Sequence, residues 1–476
     1  MGRSMTTNFS PSDLNLVFGE ETLGDSPEER AQSSSALFVR CQIQLAPYSP
    51  GATGRTLSAR EALRNFGWET LRQAVLEGSA PLVNSPKEPA STLRTRREEL
   101  GLTIEQVARK LKISGDDLRL TETEGSKTPF RVLERLAQAL ALNDQVLGLM
   151  PNAGRDSNLG VRLREMSTSG DCHGFTGHTV LQLSEAAWVV SRQAALKEVL
   201  TDNVPLNRAS LPRHDPSFGY PAYETGYRLA RRTREILGLD ANEPIESVRK
   251  IIEDDFGLPL IQLQMDQRFA GATMANGSTR GIVINESGMN SNVWVRRMTM
   301  CHELGHLLWD PDTHLQRVSV DAYSELEMSD RDVRRDPAEI RANAFAIAFL
   351  APPSEVQNIA NRCNDAAETV SEVMGIFGIS ATAAKHHVRN ISKLDAFNVR
   401  QDWPNPENHW VAMENLALDY FPIDATPLSR RGKYAWYVAK SFELGEISID
   451  TAASSLGVTP QDVSPEALRT ICALWV

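Results

Sequence analysis

Within the stretch RRMTMCHELGHLLWD, Arg296 to Asp310, two of the chain's nine histidines stand four residues apart, and a glutamate follows the first. Residues i and i+4 share one face of a helix, so the imidazoles of His302 and His306 can reach a single metal ion, with Glu303 beside the coordination position left to water. The chemistry this serves is metal-assisted hydrolysis, with the carboxylate as general base. Residues Val293, Met298, Met300, Leu304, Leu307 and Leu308 give the segment the apolar faces of a packed helix. An H-E-x-x-H match arises by chance in roughly one such chain in a hundred.

A catalytic zinc ion takes three protein ligands and a water, so a third ligand is required. Asp312 has the spacing of the short H-E-x-x-H-x-x-G-x-x-D pattern, but Trp309 holds the position where that pattern turns back on a glycine. Glu325 and Glu327 lie at distances that a more distant ligand would tolerate, and Glu339 opens the next apolar helix, EIRANAFAIAFLAPP. Glu339 also has a plain structural reading. Asp336 fits an N-cap and Pro337 the first helical position, which makes Glu339 the third residue of the first turn, where a carboxylate stabilises the helix end.

The elements that must hold these residues read as α+β and mostly helical. Before the motif come two helices, ETGYRLARRTREILGL and PIESVRKIIEDDFG, and two strands, LPLIQLQ and RGIVIN. After it come DPAEIRANAFAIAFL and ATAAKHHVRNISKL, a Pro-rich stretch from Trp403 to Pro427, and a helical tail. Upstream, residues 1–35 read as mobile, ALFVRCQIQL as a strand and SAREALRNFGWETLRQAVLEG as an amphipathic helix, followed by the break GSAPLVNSPKEPAST. Domain boundaries are expected at 1–91, a region of no legible role; 92–150, a small all-α domain; 151–222, a linker with one helix; 223–400, the domain of the motif; and 401–476, a helical C-terminal region.

The run from Tyr227 to Val356 resembles the ImmA/IrrE family of bacterial zinc metallo-endopeptidases: YRLARRTREILGL, GIVIN, RRMTMCHELGHLLW, then E-x-x-A-N-x-F-A as EIRANAFA, and a closing FLAPP. The resemblance implies a zincin-like fold, zinc as cofactor with His302, His306 and Glu339 as its ligands, and Glu303 as the base. It further implies a protein substrate, a DNA-binding repressor of the XRE type or another neighbouring-gene product, cut in a stress, mobile-element or phage-defence response. Gly305 is explained if something packs closely against the metal helix.

The stretch LRTRREELGLTIEQVARKLKISGDDLRLTETEGSKTPFRVLERLAQALAL resembles the XRE-type (Cro/CI-like) helix-turn-helix, which implies DNA binding through 92–150. Arg96, Arg97, Arg109, Lys110, Lys112 and Arg119 are the candidate contacts to DNA or a partner. The second helix of the motif opposes this, because Asp116, Asp117, Glu122 and Glu124 set four carboxylates against Arg119. A protein-docking module is the rival reading, and a transcriptional regulator using the peptidase-like domain as sensor, or a toxin–antitoxin component, are the rivals for the whole chain.

With 476 residues, a net charge of −11 and a pI near 5.5, the chain has room for several domains and is no general polycation. Five scattered cysteines without a C-x-x-C fit reduced thiols in a cytoplasm. No apolar run nears the ~20 residues that span a bilayer, so no membrane partner is expected. Cys172, His173 and His178 in DCHGFTGH read as loop polar residues, and His386 and His387 as helix-surface residues.

Overall fold

Alternating apolar residues and capped helices assemble, in a computed structural model, into two units: residues 1–202 with 421–430 and 434–476, and residues 203–420 with 431–433. The structure describes residues 9–83, 85–149, 159, 175–200, 220–240, 242–276, 278–311, 315, 319–322 and 336–474. No helix among them is long and apolar enough to cross a membrane. The fold is α+β and mostly helical.

The first unit opens with α1 (Pro11–Phe18) and α2 (Pro27–Ser33), the latter closed by a capping box between Ser26 and Glu29. Leu14, Val17 and Phe18 are buried, so residues 11–18 of the segment expected to be mobile are packed. ALFVRCQIQL is a hairpin rather than one strand: β1 (Leu37–Arg40) pairs antiparallel with β2 (Gln44–Pro47), and β3 (Arg55–Ser58) and β4 (Ala80–Pro81) complete the order β3-β1-β2-β4. The expected single helix is two, α3 (Ala59–Phe66) and α4 (Trp68–Glu77), because Gly67 takes a φ of 78°, where glycine is favoured.

Four short helices follow, α5 (Ala90–Glu99), α6 (Ile104–Leu111), α7 (Gly115–Thr121) and α8 (Phe130–Ala139), the helix-turn-helix arrangement. Thr103 caps α6 with Gln106, and Ser114 caps α7. The region before α5 is fastened to this set through charge. Arg40 on β1 donates to the backbone oxygens of Asp144, Gln145 and Leu147, and buried Arg55 on β3 bridges Glu134 and Asp144. Removing either partner of such a buried pair costs on the order of 3–5 kcal/mol. The C-terminal helix Ile449–Leu456 joins the same body: Asp450 accepts from the Thr56 amide, and Thr451 donates to Glu61.

In the second unit a mixed sheet supports the motif. Its order is β5-β7-β6-β8, with β5 (Leu260–Leu263) parallel to β7 (Thr279–Asn285), and β6 (Phe269–Asn276) antiparallel to both β7 and β8 (Ser319–Ala322). The helix that carries the H-E-x-x-H motif, Val293–Trp309, is capped by Asn292 and lies against β6 and β7. Beyond it runs the helix Pro337–Leu350, capped by Asp336 with Pro337 in its first turn, as the sequence predicts. PIESVRKIIEDDFG becomes helical only from Val248, passing into a π-turn over Ile251–Asp255. The Pro-rich stretch contains a helix, Asn408–Asp419, which carries Glu414.

Arg296 and Arg297, the residues that open the quoted stretch, anchor the metal helix. Buried Arg297 pairs with Glu414 at 2.6 Å, donates to the backbone oxygens of Glu246 and Gly378, and lies 4.4 Å from the Trp410 ring. Arg296 pairs with Glu286 at 2.5 Å and donates to Asn415. The turn of helix before His302 is thereby fixed on both sides.

Candidate metal centre

Two neighbouring helices bring three donors together. His302 Nε2 lies 3.0 Å from His306 Nε2, Glu339 Oε2 lies 3.2 Å from His302 Nε2, and Glu339 Oε1 lies 3.4 Å from His306 Nε2. Two bonds of ~2.0–2.1 Å meeting at a tetrahedral angle set their donors about 3.3 Å apart, so the three separations are those of one face of a zinc-sized tetrahedron. His302 and His306 are buried, and the Glu339 side chain is 24 % exposed, which leaves one side of the cluster open. It is the group of possible metal ligands found among the described residues.

The remaining ring nitrogens are oriented. The His302 Nδ1–H donates to Asn343 Oδ1 at 3.0 Å and the His306 Nδ1–H to Asp310 Oδ2 at 2.9 Å, while Arg341 pairs with Asp310. With acceptors on both Nδ1 atoms, neutral rings keep their protons there and leave both Nε2 lone pairs for an ion, the tautomer a metal requires. Asn343 and Asp310 were not singled out from sequence, although each follows a cluster residue by four positions, Glu339 and His306 respectively, and so shares its helix face.

Electrostatics point the same way. Burial would lower the pKa of His306, but Asp310 and Glu339 outweigh it and hold the imidazole well above its usual value. Burial would raise Glu339, yet its contacts with His302 and His306 hold the carboxyl far below the usual range. A site that draws in a proton so strongly draws in a cation for the same reason.

Glu303 is fully buried, and Thr273 Oγ1 on β6 donates to its Oε2 at 2.9 Å. Beneath it is Gly271, where a methyl group would stand 2.7 Å from Glu303 Oε1. Gly305 is the close approach anticipated from sequence: a methyl there would stand 2.8 Å from the Phe345 ring of the Glu339 helix.

The other sequence candidates fall apart from this cluster. Asp312, Glu325, Glu327, Cys172 and His173 lie outside the described residues. His387 is a core residue rather than a surface one: its Nε2–H donates to the Ala351 oxygen at 2.8 Å, its Nδ1 accepts from the Tyr227 hydroxyl, and burial lowers its pKa to about 4. Arg96 is buried with Nε on the Leu140 oxygen, which removes it from any DNA-facing set. Arg97 pairs with Glu122, Lys110 with Glu185, and Arg119 with Glu105 and Asp116; Arg109 and Lys112 are exposed.

Comparison with known families finds two matches along the chain. The family described as IrrE N-terminal-like domain matches residues 254–389, which include the metal helix and the Glu339 helix. Those residues are similar to an IrrE N-terminal-like domain. A family described as helix-turn-helix domain matches residues 90–148, placing an XRE-type module ahead of the IrrE-like domain. A search among curated proteins found no match.

Proposed function

We propose that the chain is a zinc-dependent endopeptidase in which His302, His306 and Glu339 hold the metal and Glu303 is the general base. The observation that carries the reading is the triangle of donors at 3.0, 3.2 and 3.4 Å, with Glu303 next to His302 on the same helix and bonded to Thr273. Zinc bound there supplies a Lewis acid that polarises a carbonyl and brings a water's pKa toward ~7. Glu303 accepts a proton from the attacking water, the water oxygen bonds to the peptide carbonyl carbon, the C–N bond breaks, and Glu303 returns the proton to the leaving nitrogen. Thr273 fixes one oxygen of Glu303, and Asn343 and Asp310 fix the two imidazoles, so little reorganisation is needed.

The protein substrate we propose is a DNA-binding repressor encoded nearby, cut in the cytoplasm during a stress, mobile-element or phage response. The helix-turn-helix module we assign to docking a protein partner, with DNA second. Supporting this, four of its six candidate cations are buried or paired, while Asp116 and Asp117 stand exposed on α7. Incubating the full-length protein with the neighbouring repressor tests the activity. Cleavage that disappears in Glu303→Gln while zinc is retained is the expected result, and undiminished cleavage by Glu303→Gln would remove the base from the mechanism.

A further inference from the structure

Within the first unit, a cavity of about 740 Å³ lies where α6 and α8 of the helix-turn-helix meet the helix Gly177–Leu200 and the C-terminal segment. One wall gathers three cations around a single carboxylate. Glu185 takes Lys110 Nζ at 2.9 Å on one oxygen and Arg430 Nη2 at 2.8 Å on the other. Arg135 donates to the backbone oxygen of Leu111, the neighbour of Lys110, and pairs with no carboxylate among the described residues. Burial would raise Glu185, yet Arg430 and Lys110 hold its carboxyl down at about 2, which reports a strong positive field. The other charges of the cavity are committed: Arg131 pairs with Asp450 at 2.8 Å, Glu134 with Arg55, and Asp462 accepts from Thr459. Three cations against Glu185 leave two positive charges in excess on that wall.

Arg430 is the fixed point of the set. It is 4 % exposed, lies 4.8 Å from the Trp188 ring centre, and donates to Gln138 and to the backbone oxygens of Ser454 and Ser455. Its Nε keeps a proton with no acceptor among the described residues. Gly457 lies over it on the cavity wall, where an added methyl would stand 3.2 Å from Nε, so a residue without a side chain leaves the guanidinium uncovered. We propose that the cavity binds a small phosphate monoester, a sugar phosphate in chemical class, with its phosphate on Lys110, Arg135 and Arg430. A phosphate monoester carries about −1.5 to −2 at pH 7, which matches the excess charge, and guanidinium and ammonium groups are its usual donors. The volume falls in the range of small-molecule sites, with room for a body beside the phosphate. That body is polar and not aromatic: Gln138, Ser454, Thr459 and Gln461 bring amides and hydroxyls to the wall, and no aromatic ring is among the described lining residues to stack a base. The inference stands apart from the metal centre and from the peptidase reading.

The test titrates the full-length protein by calorimetry with inorganic phosphate, glucose 6-phosphate and glucose. The ester should bind, inorganic phosphate more weakly, and glucose not at all. Arg135→Gln and Lys110→Gln should each weaken the ester roughly 10-fold or more, the loss of one charged hydrogen-bond donor. Arg469→Gln, which removes an exposed cation outside the cavity, should leave the affinity as in the wild type. Absence of binding by phosphate and ester alike would overturn the proposal, as would phosphate binding from which the ester is excluded. An affinity unmoved in both cavity variants, or reduced equally in Arg469→Gln, would overturn it too. So would a DNA duplex that displaces the ester and itself weakens in the same two variants, which would assign these cations to a nucleic-acid backbone.

Discussion

Gly305→Ala perturbs the spacing on which the metal centre depends. Alanine favours the helix by about 1 kcal/mol over glycine, so on an open helix face the change would stabilise. Here the new methyl stands 2.8 Å from Phe345 Cδ1 and 3.2 Å from Cγ. Carbon atoms rest at ~3.5–4.0 Å, so the ring or its helix must retreat by about 0.7 Å or more. Phe345 is 1 % exposed and stacked on Phe349 at 5.4 Å, which leaves the ring little room to turn, and the shift passes to the helix that also carries Glu339 and Asn343. Overpacking of this kind costs roughly 1–3 kcal/mol, which offsets the helix gain and leaves a net loss of about 0–2 kcal/mol. Zinc tolerates only about ±0.2 Å in its ligand distances, so the larger effect should fall on the metal, a loss of roughly 10- to 100-fold in affinity. Zinc affinity measured by competition with a chromophoric chelator, together with denaturant unfolding after metal removal, reads both quantities. A variant about 1 kcal/mol more stable with wild-type zinc affinity would refute the close-approach argument.

Asn343→Ala removes the acceptor that fixes the His302 tautomer, and zinc affinity by the same competition should fall about 10- to 100-fold; unchanged affinity would show that Asn343 does not orient the ring. His387, with a pKa lowered by burial to about 4, binds fewer protons folded than unfolded between that value and ~6.5, so its contribution to stability is complete above this window and is lost as pH falls through it. Between pH 7 and pH 5 the wild type should lose about 2 kcal/mol that His387→Leu does not, read by urea unfolding at the two pH values, and equal losses in both proteins would contradict the assignment.

Which parts of the site were legible follows from how local each signal is. His302, Glu303 and His306 could be proposed from sequence because one helical turn spaces them, and Glu339 only through the family resemblance, since its capping pattern favoured a plain helix-end role. Asp310 and Asn343 obey the same four-residue spacing, but a lone Asp or Asn carries no chemical signature until its partner is seen. Thr273 and Gly271 were hidden because β6, FAGATMAN, is mostly Ala, Gly and Asn, residues with little strand preference, and it is a strand because β7 and β8 pair with it on both sides. His387 read as surface because a single histidine does not reveal which helix face the fold covers. Gly67 lies inside an unbroken amphipathic pattern, and only its positive φ shows that one expected helix is two. Arg96 looked like a DNA contact because its neighbours are basic, whereas the chain folds it under Leu140. Arg40 and Arg55 tie the region before the helix-turn-helix match into the same body, a long-range pairing invisible to local pattern.

The most direct test of the central claim is anomalous X-ray diffraction at the zinc edge from crystals of the zinc-loaded full-length protein. The account predicts one strong peak at about 2.0–2.2 Å from His302 Nε2, His306 Nε2 and a Glu339 carboxylate oxygen, with Glu303 outside bonding distance. A peak coordinated by Glu303, or held by the histidines with Glu339 turned away, would contradict it.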